Sequence, residues 1–239
     1  MHFSRRQRID MAWFLALMLA VLTVQQASAS EESVDDATKA ALSLDAHPRH
    51  GAQLFVRHCT QCHGAAATGD AAKAVPSLAG QRFAYLVRQL ANFAGNERDS
   101  SEMHKVVSQA ALQQPQAWVD IAAWLNARPV NTAAQTGDGA HLGLGEGIFH
   151  EQCASCHRAD ARGDDDGFVP SLRAQHVGYL AGQIRSLGSG RRHNLDENLM
   201  RFFRSLEEPD ISAVADYLSR LKGPGKDRRK MRDDGSVVD

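Results

Sequence analysis

Residues 59–63 read CTQCH and residues 153–157 read CASCH. Reading outward from these two strings, the chain lands on itself at an offset of 94 positions, 59 to 153. Gly51 falls on Gly145, Phe55 on Phe149, and Gly69-Asp70 on Gly163-Asp164. PSLAGQ (76–81) falls on PSLRAQ (170–175), Tyr85-Leu86 on Tyr179-Leu180, Gln89 on Gln183 and Arg98 on Arg192. Near the end of each unit IAAWLN, from Ile121, meets VADYLS, from Val214. A period this long is a domain duplication, since solenoid repeats recur every 20–50 residues or so.

Each unit reads as helical. Phe83, Leu86, Val87 and Leu90 lie at i, i+3, i+4 and i+7, and Val177, Leu180 and Ile184 repeat that face. Trp118, Ile121, Ala122 and Leu125 give the same spacing in the last helix of the first unit. Ile211, Val214, Ala215 and Leu218 give it in the second. Pro115 and Pro209 sit where a first helical turn tolerates proline, and no strand alternation stands out. The expected fold class is therefore all-α, in two tandem domains, residues 47–130 and 144–222. Residues 30–46 are expected to be a flexible lead-in, 131–143 a linker, and 223–239, dense in charge with Gly and Pro, a disordered tail. Domains this small hold a thin core and usually need a staple, which a bulky apolar cofactor would supply.

The N-terminus reads as an export signal. Arg5, Arg6 and Arg8 precede an apolar run from Met11 to Val24, and Ala27-Ser28-Ala29 is a small-x-small cleavage site, so residues 1–29 are expected to be removed after Ala29. The rival is an uncleaved membrane anchor, but the run is short for a span. That places the mature chain in the periplasm. Of 239 residues, 27 are Lys or Arg and 28 Asp or Glu, a net charge of −1, with no clustered basic face that would indicate nucleic-acid binding.

The chain has four cysteines, Cys59, Cys62, Cys153 and Cys156, and each pair is followed directly by a histidine. C-x-x-C-H is the attachment signature of a c-type haem. The thiols add to the vinyl groups as thioethers, and the adjacent histidine sits beneath the iron. Two covalent haem c groups are expected, bound by Cys59, Cys62 and His63 and by Cys153, Cys156 and His157. A four-cysteine zinc site, a thioredoxin-like redox pair and structural disulfides compete; the repeated flanks behind an export signal favour haem. For the sixth iron ligand, Met103 and Met200 occupy matching places between the middle and last helices, and Met231 lies in the tail. Methionine often serves only as core filler, and His104 and His193 are rival ligands; the matched isolation of the two methionines favours ligation to iron. Asp164-Asp165-Asp166-Gly167 hints at calcium but lacks the other loop ligands, and is read as a solvated loop. Arg98 and Arg192 are candidates for haem propionates or plain surface arginines.

Gly51, Phe55, Pro76-Ser77-Leu78, Met103 and Trp124, matched by Gly145, Phe149, Pro170, Met200 and Tyr217, resemble the layout of class I cytochromes c. PSLAGQRFAYLVRQL and PSLRAQHVGYLAGQI resemble the two-haem cytochrome c4 family over about residues 47–222. The resemblance implies two domains facing each other about a pseudo-twofold axis, with Pro76 and Pro170 near the proximal histidines. It also implies that Phe55 with Trp124, and Phe149 with Tyr217, form the crossing of first and last helices. The second unit departs from the pattern where Arg158 replaces the Gly64 position and LRAQ replaces LAGQ. The function implied is transfer of single electrons between a respiratory donor and an oxidase or reductase, with redox-protein partners such as a membrane respiratory complex, and no catalytic residue. A cytochrome subunit serving a dedicated periplasmic dehydrogenase is the alternative. A di-haem peroxidase, which needs an open or bis-histidine iron, fits less well with two methionines so placed.

Overall fold

The computed structural model describes residues 33–192 and 197–222. The expected signal peptide, the charged tail and His193 lie outside these residues. The described residues form helices and turns, with three isolated two-residue bridges and no extended strand among them. In chain order the helices are α1 (Val34–Leu42), α2 (Pro48–His58), α3 (Thr60–His63), α4 (Phe83–Ala94), α5 (Ser101–Val107) and α6 (Pro115–Asn126). The second unit holds α7 (Leu142–Ile148), α8 (Ala154–His157), α9 (Val177–Gly188), α10 (Glu197–Ser205) and α11 (Glu208–Arg220).

In each unit the first and last helices cross closely. The crossing point is a glycine: a Cβ on Gly51 would come within 1.9 Å of the Asp120 carbonyl oxygen, and one on Gly145 within 2.1 Å of that of Ala213. Beside the crossing, Phe55 packs on Trp124 with ring centroids 4.7 Å apart, and Phe149 on Tyr217 at 5.8 Å. Phe55 and Phe149 are fully buried and anchor separate apolar cores. The second crossing helix differs from the first: where α2 runs unbroken to His58, α7 passes into a π-type turn over Phe149–Cys153 before its haem motif.

The lead-in expected over residues 30–46 is instead helical over α1. Ser33 caps it, its hydroxyl accepting from the Asp36 N–H, and Val34, Thr38 and Ala41 are buried along one stripe. Val34 and Ala41 join the first core, and Arg88 of α4 pairs with Asp35. The segment is short but carries its own cap and apolar face, so docking outweighs the chain entropy of a free leader.

The linker is tied down as well. The backbone N–H groups of Gly137 and Gly139 donate to the buried carboxylate of Asp216, at 2.9 and 2.7 Å. Asp120 does the corresponding work in the first unit. It accepts from the His47 N–H and His50 Nδ1, both at 2.7 Å, and from Gln116 Nε2 at 2.8 Å. Burial alone would raise the Asp120 carboxyl, but these donors outweigh it and hold the group below the usual carboxylate range.

Candidate haem sites

The two motifs are built alike. A short helix, α3 or α8, carries the second cysteine and the histidine, and a left-handed residue ends it: Gly64 at φ 73° and Arg158 at φ 68°. The substitution that breaks the repeat here keeps the backbone shape. Arg158, at ψ 153°, takes up an extended positive-φ conformation that costs a residue with a Cβ about 1–3 kcal/mol, and its guanidinium pairs with Asp164. The chain then folds back so that Gly69 and Gly163, also left-handed, let Pro76 and Pro170 return over the motif.

That return fixes the histidines. His63 Nδ1 lies 3.1 Å from the Pro76 carbonyl oxygen, and His157 Nδ1 lies 3.0 Å from that of Pro170. A carbonyl can only accept, so each Nδ1 carries the proton and each Nε2 is left with its lone pair. Burial lowers the pKa of both imidazoles and the carbonyl bond only partly offsets it, so the neutral form is favoured. Such a neutral ring, oriented through Nδ1–H, is what a metal-ligating histidine needs.

The cysteines are unpaired. Burial, and to a lesser degree the neighbouring thiol, pushes Cys59 up to about 12 and Cys153 up to about 11. A thioredoxin-like pair belongs beside a βαβ unit, and the described residues hold helices and no extended strand, so that reading fails. The zinc reading fails too, because among the described residues no three His, Cys, Asp or Glu groups converge as a metal site. The donor set of each motif thus fits a haem: two free thiols, an imidazole with Nε2 available and, in the sequence order expected, a methionine on the next helix but one. Met103 is half-buried on α5 and Met200 is buried on α10. Ser100 caps α5 through the Met103 N–H. His104, a rival to Met103, has its Nδ1 3.3 Å from the Phe93 carbonyl oxygen and is exposed.

The two sites face a shared interface with a pseudo-twofold pattern of hydrogen bonds. Gln81 Nε2 donates to the Ser171 carbonyl and Gln175 Nε2 to that of Ser77, both at 2.9 Å. In return the N–H groups of Ser171 and Ser77 donate to Gln81 Oε1 and Gln175 Oε1, at 2.8 and 2.9 Å. Further along, Arg98 and Arg192 are neither surface residues nor far apart; they bridge to each other, buried. The Arg98 guanidinium donates to Tyr179 and Gln183 of the second unit, and that of Arg192 to Tyr85 and Gln89 of the first. Burial alone would raise the Tyr85 hydroxyl, but the two guanidinium groups outweigh it and hold it below the ordinary tyrosine value. Asp165 also proves to be more than a solvated loop residue: it accepts from the Ala84 N–H at 2.9 Å and faces Arg82. His176 closes the other edge, its Nε2 2.8 Å from the Thr68 carbonyl oxygen while its Nδ1 accepts from the Gln135 N–H.

The cytochrome c family model matches the chain twice, over residues 49–127 and 143–222. The chain belongs to the cytochrome c family. A thiosulfate dehydrogenase electron acceptor of Stutzerimonas stutzeri (strain A1501) is 30% identical over 220 residues, covering 87% of this chain and 94% of that one. A cytochrome c4 of Pseudomonas aeruginosa is 28% identical over 173 residues, 68% of this chain and 83% of its own. The crystal structure of reduced recombinant cytochrome c4 from Pseudomonas stutzeri matches with a TM-score of 0.65 at 26% identity, covering 74% of this chain and all of that one. With two cytochrome c domains and this likeness, the chain is a cytochrome c4-like di-haem electron-transfer protein. Its two family domains imply covalently bound haem c. Among the described residues no helix is long and apolar enough to cross a membrane.

Proposed function

We propose that the chain is a periplasmic carrier, without catalysis of its own, that takes electrons singly from an oxidising enzyme and passes them to an oxidase or membrane respiratory complex. The observation that carries the reading is the pair of neutral histidines, each held through Nδ1–H by a proline carbonyl with Nε2 left over. In this reading His63 and Met103 would ligate one iron, and His157 and Met200 the other. Cys59 with Cys62, and Cys153 with Cys156, hold the porphyrins as thioethers. Haem iron bound in this way changes its oxidation state by one electron, and His/Met ligation raises its potential. The protein's part would be to supply both ligands to each iron, exclude water from the ring and hold the ligands still. The glycine crossings and the buried carboxylates Asp120 and Asp216 do this by fixing the helices around each motif.

The donor proposed is a dehydrogenase of the thiosulfate-oxidising kind, since relatives named as its electron acceptor match nearly the whole chain in one case. The test is a haem count and an optical spectrum of the reduced protein with and without carbon monoxide. Two covalent haems and an unchanged spectrum are expected. A response to carbon monoxide at either iron in the wild type would refute closed His/Met ligation and bring a peroxidase reading forward. Rapid reduction on mixing with a thiosulfate dehydrogenase and thiosulfate is expected for the donor; reduction no faster than without enzyme would remove it.

A further inference from the structure

The carbonyl that holds each histidine belongs to a peptide unit whose other end is held by the opposite domain. Pro76 C=O accepts from His63 Nδ1–H, while the N–H of the same peptide, on Ser77, donates to Gln175 Oε1 at 2.9 Å. Pro170 C=O accepts from His157, and the Ser171 N–H donates to Gln81 Oε1 at 2.8 Å. Each glutamine oxygen also accepts from the backbone N–H of the next residue, Gln175 from His176 at 3.0 Å and Gln81 from Arg82 at 2.8 Å. Two backbone donors on one atom admit the amide oxygen and not the nitrogen, so the orientation of each amide is dictated by its partners. Both glutamines are buried.

Hydrogen bonds in series polarise one another. A peptide that donates at its N–H carries more negative charge on its carbonyl oxygen and accepts more strongly. That strengthens the bond from the histidine Nδ1–H, makes the ring a better electron donor through Nε2, and favours the oxidised iron. We propose that Gln175 and Gln81 are crossed positioning residues, each tuning the reduction potential of the haem in the domain to which it does not belong. The inference rests on His63 and His157 being the iron ligands. It gives each site a direct bonded path to the other domain, and it accounts for a glutamine at the end of both PSLxxQ strings where LAGQ otherwise changes to LRAQ.

The test uses the full two-haem protein with Gln175→Met and, separately, Gln81→Met. Methionine keeps the length and lacks the amide's strong acceptor. Haem content and the low-spin spectrum are measured first, and a redox titration followed by NMR then resolves the two haems. With Gln175→Met, the haem of the first domain is expected to become about threefold easier to reduce, about 30 mV at 59 mV per tenfold change for one electron, while the other stays in place. Gln81→Met should reverse the pattern. Potentials that move together, in the uncrossed haem or not at all would overturn the proposal. Retention of the low-spin spectrum in His63→Gly would instead overturn the ligation reading on which it stands. Should a methionine variant not assemble, exchange of the two histidine Nδ1–H protons in the reduced wild type decides. Protection equal to that of the Ser77 and Ser171 amides is expected, and rapid exchange of either overturns the proposal.

Discussion

Gly145 and Gly147 lie two residues apart on α7, and alanine should act on them in opposite directions. At Gly145 a Cβ would meet the Ala213 carbonyl oxygen at 2.1 Å, its carbon at 2.6 Å and Tyr217 Cβ at 2.9 Å, so α7 and α11 must separate by about 1 Å to admit it. Backbone cannot rotate out of the way as a side chain can, so the upper end of the overpacking range applies, about 3 kcal/mol. Alanine's better helix propensity returns about 1 kcal/mol, leaving Gly145→Ala destabilised by about 2 kcal/mol. At Gly147 nothing lies within 4 Å of the added carbon, so only the propensity counts, and Gly147→Ala gains about 0.5–1 kcal/mol. For a domain of this size 1 kcal/mol moves the melting temperature by roughly 4–8 °C. The second domain should therefore melt about 8–16 °C lower in one variant and a few degrees higher in the other. Thermal unfolding followed by circular dichroism and by haem absorbance reads both. Equal shifts in the two variants, or a stable Gly145→Ala, would refute the claim that the helix crossing is closed to a methyl group.

Other outcomes follow from the same contacts. Met103→Ala and Met200→Ala should each open one iron, seen as carbon monoxide binding at half the haem content. Asp120→Ala strands three donors and should cost the first domain about 2–3 kcal/mol in chemical denaturation. Because the folded-state pKa of Asp120 lies below its unfolded value near 3.8, its contribution is present above that pH and is lost as pH falls through the folded value. The wild type should accordingly lose stability in acid below about pH 4, and Asp120→Asn should flatten that slope. Arg158→Gly relieves a residue held at positive φ and gives up only an exposed ion pair, worth little, so it should stabilise the second domain by about 1 kcal/mol. Arg98→Ala removes bonds to Tyr179 and Gln183 of the other domain and should move the melting transitions of the two domains further apart.

The helical architecture and its duplication were legible because they rest on local periodicity and on two rare pentapeptides. The aromatic crossings followed from the resemblance and are found where it implied. Helix α1 is not legible as a helix from its sequence, although Ser33 and Asp36 stand in capping relation and Val34, Thr38 and Ala41 line one face; at nine residues, its stability comes from the core it joins. The resemblance implies two domains facing each other, but the residues that join them are not legible, for a different reason. Gln81, Gln175, Asp165 and His176 are polar residues in loops or at helix starts, and nothing local distinguishes them from solvated ones. The recurrence of glutamine at the end of both PSLxxQ strings marks Gln81 and Gln175, and nothing marks Asp165 or His176. Arg98 and Arg192 were picked out by their repeat, but their burial depends on a domain contact that no periodicity encodes.

The glutamine–serine exchange between the halves has the form of an isologous contact: the same patch appears on both sides, and each half gives what it receives. A single-domain ancestor bearing PSLxxQ could have made the same four bonds with a second copy of itself, as a symmetric homodimer. Fusing the two copies into one chain frees them to diverge, as Arg158 and LRAQ already have, without losing the partner. A contact of this kind is also closed, for once the two patches meet neither offers an edge to a third. The geometry that holds the two domains together therefore leaves neither of these two patches open to a further copy.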